Sequence, residues 1–148
     1  MDLENYLNTE ALFLALMSYE QTRSEIEKTF GLVPGFMNGV PHDVLVQMWP
    51  IMKTYIFGQS KIPAKYREMI SLAVSATLKC PYCETFHRTA AKMNGATDEE
   101  LAEMGAIVGQ VTFWSSILHT MNYDMNTFMK EFQAMGEHFA KQQATTSV

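Results

Sequence analysis

Apolar residues recur along this chain three and four positions apart, and nowhere in sustained alternation. That spacing predicts helices nearly throughout, no convincing run of strands and no internal repeat. A first helix, capped by Asn8, carries Leu12, Leu14, Leu16 and Met17, with Glu10 and Glu20 in or near it. Ser24 to Phe30 continues helically and stops at Gly31. Glycines and prolines at Gly31, Pro34, Gly35, Gly39 and Pro41 then mark a loop packed by its own apolar residues. Pro41 opens a helix to about Phe57, which Pro50 should kink or interrupt.

Pro63 begins the next helix, and Ala64 to Leu78 is long and apolar on one side. A tight break follows at Lys79-Cys80-Pro81, where Pro81 suits a helical first turn because its missing N–H would be an orphan there. That helix runs to Met93 and ends at Asn94-Gly95, a left-handed cap. Thr97, with Glu100 three residues later, forms a capping box and starts a helix through about Gln110. Val111 to His119 and Asn126 to Lys141 complete an all-α domain. The tail from Gln142 to Val148 is expected to fray.

The length of 148 residues fits one domain, 1–148, with its own core. With 47% apolar and 18% charged residues the chain is globular. The net charge is −5 and no Lys/Arg cluster occurs, which argues against nucleic acid or an anionic membrane surface as partner. No apolar run approaches the ~18 residues of a membrane span. The acidic start, Met1-Asp2-Leu3-Glu4-Asn5, lacks the basic region of a signal peptide, so the expected compartment is the cytoplasm. Two cysteines do not make the disulfide framework of a secreted protein.

Those two cysteines lie in one segment, Cys80-Pro81-Tyr82-Cys83-Glu84-Thr85-Phe86-His87. On a helix, Cys83 and His87 are one turn apart on the same face. A thiol at a helix start, near an imidazole, is placed to form a reactive thiolate, because free N–H groups and the helix dipole favour negative charge there. A second thiol within reach lets that thiolate end as a disulfide. Glu68 sits on the preceding helix, twelve positions before Cys80. If the two helices form an antiparallel hairpin, a rise of ~1.5 Å per residue puts Glu68 roughly level with His87. It could then orient the imidazole; the plainer reading is a salt bridge on the hairpin, for instance with Lys65.

Other readings of the segment remain. Cys-Pro-Tyr-Cys also occurs in glutaredoxins, but that reading needs a βαβ context which the pattern lacks. A c-type haem site needs His directly after the second Cys, where Glu84 stands. Cys80, Cys83 and His87 offer three zinc ligands, whereas a closed structural site wants four. His42, His119 and His138 read as surface or core hydrogen-bonding groups. The twelve methionines read as adaptable core filler, and Trp49, Trp114, Phe113 and Tyr55 as core or subunit interface.

The run Arg67-Glu68-Met69-Ile70-Ser71-Leu72-Ala73-Val74-Ser75, followed by Cys80-Pro81-Tyr82-Cys83 and His87, resembles the AhpD-like branch of the carboxymuconolactone decarboxylase superfamily. Gly31-Leu32-Val33-Pro34 and Gly95-Ala96-Thr97-Asp98-Glu99-Glu100-Leu101 resemble its peroxidase-related members, so the likeness spans about Gly31 to Gly105. The resemblance implies an all-α fold with a central helix hairpin, assembled as trimers or hexamers. It implies reduction of hydroperoxides without a bound cofactor or metal, and an external dithiol or protein reductant. By resemblance Cys83 attacks, Cys80 resolves, and Glu68 with His87 relays protons. Some AhpD-like proteins carry His where this chain has Tyr82, so no relay role passes to that position. The non-redox side of the superfamily implies the alternative, an acid/base decarboxylase or isomerase using His87 and Glu68. A zinc-stabilised oligomeric binding module is the third class.

Overall fold

A computed structural model of the protein describes residues 18–146, with side chains to 142. The first predicted helix start, Asn8 to Met17, lies outside the described residues. Helix α1 covers 18–30, α2 His42–Met52, α3 Ala64–Leu78, α4 Pro81–Met93, α5 Asp98–Thr120 and α6 Met125–Thr146. A 3-10 turn spans Gly35–Gly39 and a π turn Lys53–Phe57. Among the described residues there is no strand, so the fold is all-α as the spacing predicts.

Two packed units make up the body. In the first, Tyr19 and Ile26 of α1, Met37 of the 3-10 turn, and Leu45 and Trp49 of α2 form a buried cluster. Phe30, Val33, Val40, Val46 and Met52 pack around it, so the loop between α1 and α2 is held by its own apolar residues. Burial of a side chain such as Ile26 contributes about 1.5–3 kcal/mol. The second unit is α3 against α4, joined by Lys79 and Cys80, with Leu72 and Ala91 buried. Phe57 bridges the units: its ring meets Phe30 at 5.3 Å and Phe86 at 6.5 Å, both edge-on.

Local chemistry explains the boundaries. Gly31 ends α1 at φ +79°, a conformation glycine adopts without steric cost. Pro50 is accommodated inside α2, and the interruption comes three residues later as the π turn. A proline removes one rung of the helical ladder, and a widened turn is one way the backbone takes up the mismatch. Gly58 closes that turn; a Cβ there would lie 2.7 Å from the Thr54 carbonyl oxygen. Lys79 ends α3 in the left-handed region at φ 54°, where its N–H bonds the Ala76 carbonyl and the Cys80 N–H bonds the Ser75 carbonyl. Thr97 and Glu100 form the reciprocal capping box that opens α5.

Three expectations change. No break separates Gln110 from Val111; α5 is one helix of 23 residues, because nothing there interrupts the ladder. Its apolar residues are interspersed with Gly, Thr and Ser rather than contiguous, yet by length and composition alone it is long and apolar enough to cross a membrane. The methionines are not mainly core: Met37 is buried, whereas Met48, Met93, Met121, Met125, Met129 and Met135 are exposed. The reading of the large aromatics as core or subunit interface is not among them: Trp49 is buried, and Tyr55, Phe113 and Trp114 are more than half exposed in the single chain.

Candidate active site

Cys80 is the N-cap of α4, in extended backbone, and Pro81 takes the first helical position. The cap places the Cys80 sulfur over the unpaired N–H groups of the first turn. Cys83, on that turn, donates its backbone N–H to Cys80 Sγ at 3.4 Å. The two sulfurs are 2.7 Å apart and both cysteines are free thiols. The pair is asymmetric. The Cys83 thiol beside it, helped by backbone N–H groups, holds the Cys80 pKa below that of an ordinary thiol. The same hydrogen bond, together with partial desolvation, pushes Cys83 up. Of the two sulfurs, Cys80 is the one to which a backbone N–H of the first turn donates. Spacing alone does not reveal this, because it depends on which thiol occupies the cap.

One turn further along α4, His87 Nδ1 lies 2.7 Å from Glu68 Oε2 on α3. The Glu68 side chain is only 5% exposed and His87 17%, so the contact is shielded from water. A carboxylate accepts only, which fixes the Nδ1–H tautomer and leaves Nε2 as the accepting nitrogen of a neutral ring. Glu68 thus faces His87, and Lys65 pairs with Glu100 instead. Phe86 stands edge-on to the His87 ring at 5.1 Å, linking it through Phe57 to the first core unit. Sequence reasoning missed Phe57, because the π turn that presents it has no spacing signature.

The structure brings together Cys80 with Cys83 and Glu68 with His87. It does not join the two pairs: among the described residues no hydrogen bond links His87 to either sulfur. Tyr82 is largely exposed and packs on neither pair. Among the described residues no three His, Cys, Asp or Glu side chains are grouped to hold a metal ion. The arrangement offers a dithiol able to exchange two electrons beside a histidine held in one tautomer.

The model of the carboxymuconolactone decarboxylase family matches residues 44–123, more than half of the chain. No curated protein matches it. Among solved structures it is similar to the alkylhydroperoxidase AhpD core from Rhodospirillum rubrum, with 28% sequence identity and a TM-score of 0.62. That match covers 80% of this chain and 91% of the other. With the fold and the matched segment together, the chain belongs to the carboxymuconolactone decarboxylase family, as an AhpD-like member.

Proposed function

We propose that the protein is a thiol-dependent peroxidase, a dithiol–disulfide oxidoreductase that reduces hydroperoxides through Cys80 and Cys83. The observation that carries this reading is the sulfur pair, 2.7 Å apart at the start of α4. One thiolate attacks the peroxide, the O–O bond breaks, and that sulfur becomes a sulfenic acid. The leaving oxygen departs as alcohol or water with the proton the attacking thiol gave up, taken and handed on by Nε2 of His87, which Glu68 positions. The second thiol displaces water from the sulfenic acid and closes a disulfide. An external dithiol or protein reductant then returns two electrons. A reducing cytoplasm suits such a cycle, and a homotrimer or homohexamer is the assembly the family resemblance implies. The cycle itself needs no bound cofactor.

The resemblance gives the attack to Cys83 and the resolving step to Cys80. One observation favours the exchange of these roles: Cys80 is the sulfur that accepts a backbone N–H of the first turn. A sulfenic-acid probe on the two single Cys→Ser variants decides the order by which sulfur it labels. An acid/base decarboxylase using His87 and Glu68 has no use for two adjoining thiols, which counts against that alternative.

The test is intact mass after treatment with equimolar hydroperoxide. The expected result is a loss of two hydrogens, reversed by dithiothreitol. Unchanged mass with two free thiols would sink the redox reading.

A further inference from the structure

Glu68 holds the His87 ring at one atom only, Nδ1. A ring tied there can still swing about the line from Nδ1 to Oε2. Nε2, the atom left to accept a proton, swings with it. A second contact is needed to fix where Nε2 points. Phe86 supplies it, edge-on to the imidazole with ring centroids 5.1 Å apart. Phe86 is itself 40% exposed, so burial alone does not hold it. Phe57 stands behind it, edge-on at 6.5 Å, and Phe30 stands behind Phe57 at 5.3 Å. Edge-to-face pairs attract and select an orientation.

Phe57 is the last residue of the π turn Lys53–Phe57. Such turns are rare and occur frequently at functional sites. This one is tied at both ends. At its start Lys53 pairs with Glu25 of α1, but both side chains are half exposed, and such a pair contributes little. Just past its end, Arg67 Nη1 on α3 donates to the Gly58 carbonyl at 2.6 Å in a partly buried contact. A charged donor makes the stronger kind of hydrogen bond, so the Arg67 tie is the firmer of the two.

Ion pairing does not account for where Arg67 lies. Among the described residues no carboxylate pairs with it, and the adjacent Glu68 faces His87. Its Nε is buried with no hydrogen-bond partner among the described residues. A buried donor left unpaired is destabilising, so a guanidinium held this way calls for a reason other than stability. Arg67 and Glu68 are neighbours on α3. One turn of that helix therefore reaches His87 by two routes. Glu68 touches Nδ1 directly, and Arg67 acts through Gly58, Phe57 and Phe86.

We propose that Arg67 is a positioning residue for His87: its hydrogen bond to the Gly58 carbonyl sets the π turn, and the π turn sets the ring stack that aims Nε2. Gly58 completes the tie from the other side, because a Cβ there would lie 2.7 Å from the Thr54 carbonyl oxygen and force the turn to shift. The consequence for turnover rests on the peroxidase reading; the placement of the ring does not.

Proton NMR of the reduced full-length chain reads that placement. The Cε1–H and Cδ2–H resonances of His87, assigned by their loss in His87→Ala, lie in the ring-current field of Phe86 and report its orientation. Arg67→Gln is expected to shift them, and Arg67→Lys, which keeps a charged donor, to shift them less. Gly58→Ala disturbs the turn from its other side and is expected to shift them too, so the proposal stays testable should Arg67→Gln not fold. In a Phe57→Leu background Arg67→Gln is expected to add no shift, because the route is already cut at that ring. In peroxide reduction Arg67→Gln is expected to lower kcat by about tenfold, short of the ~10²-fold that a ~1 Å misplacement can cost, with KM unchanged. Unmoved His87 resonances in folded Arg67→Gln, or in Gly58→Ala, overturn the proposal and leave Arg67 a tie between elements. An Arg67→Gln shift that persists undiminished in the Phe57→Leu background overturns it as well. Resonances that move as expected, in a chain that neither consumes peroxide nor loses two hydrogens to it, sustain the placement and overturn the peroxidase reading instead.

Discussion

The two thiols differ because one of them is a helix cap. Cys80 Sγ accepts the Cys83 backbone N–H and lies 2.7 Å from the Cys83 sulfur. Donors to the charged form lower a thiol pKa, and Cys80 is the lowered one, chiefly through the Cys83 thiol. Replacing Cys83 by Ala removes the side-chain donor and keeps the backbone one. The thiolate of Cys80 loses stabilisation, so its pKa rises and its pH profile of alkylation by iodoacetamide moves to higher pH. Cys83→Ser keeps a hydroxyl donor, and its profile should lie between those of Cys83→Ala and the unaltered chain. Identical profiles in Cys83→Ala and the unaltered chain would show that the hydrogen bond does not set the acidity. At this scale the sequence was informative about which residues react: the Cys-x-x-Cys-x-x-x-His spacing is complete in one segment. It was silent on their asymmetry, because both thiols lie in or beside the first turn and only the backbone conformation of Cys80 makes it the cap.

Between elements, the contact that matters most is Glu68 on α3 with His87 on α4. A helical rise of ~1.5 Å per residue was enough to place the two roughly level, and the structure brings them to 2.7 Å. Proton transfer by a positioned side chain contributes ~10²–10⁴-fold. Glu68→Gln keeps an acceptor for Nδ1–H but removes the charge that would stabilise His87 when it carries a proton. We expect kcat for peroxide reduction to fall by about tenfold or more, with KM and the melting temperature close to unchanged. His87→Ala should cost at least as much in rate. It should also cost stability, because the nearly buried Glu68 carboxylate loses its partner. A Glu68→Gln rate equal to that of the unaltered chain would reduce Glu68 to a tie between helices. Other element-level features were legible only where local rules set them. The end of α4 at Asn94-Gly95 and the capping box at Thr97 follow local rules that a single sequence displays. The π turn at Lys53–Phe57 does not, since it answers the strain of Pro50 and the packing of Phe57 between Phe30 and Phe86.

Over the whole molecule, the apolar residues outnumber what one chain buries. Among the described residues eight apolar side chains are buried, against twenty-eight large apolar ones left exposed. The sequence pattern identified the all-α class correctly, because a 3.6-residue period is a local property. It assigned the methionines to a core, because periodicity tells which face is apolar and not which chain covers it. A core of eight side chains offsets little of the ~1–2 kcal/mol per residue that ordering the backbone costs. If the remaining stability comes from surface covered on association, unfolding and dissociation are one linked equilibrium. For such a system each tenfold rise in protein concentration adds about 1.4 kcal/mol per added subunit. In a chain of this size that moves the melting temperature by a few degrees. We therefore expect the melting temperature of the reduced protein, followed by circular dichroism, to climb steadily from low to high micromolar concentration. Phe132→Glu should flatten that slope and lower the plateau. A melting temperature independent of concentration would mean that one chain is stable alone with its exposed apolar side chains in water.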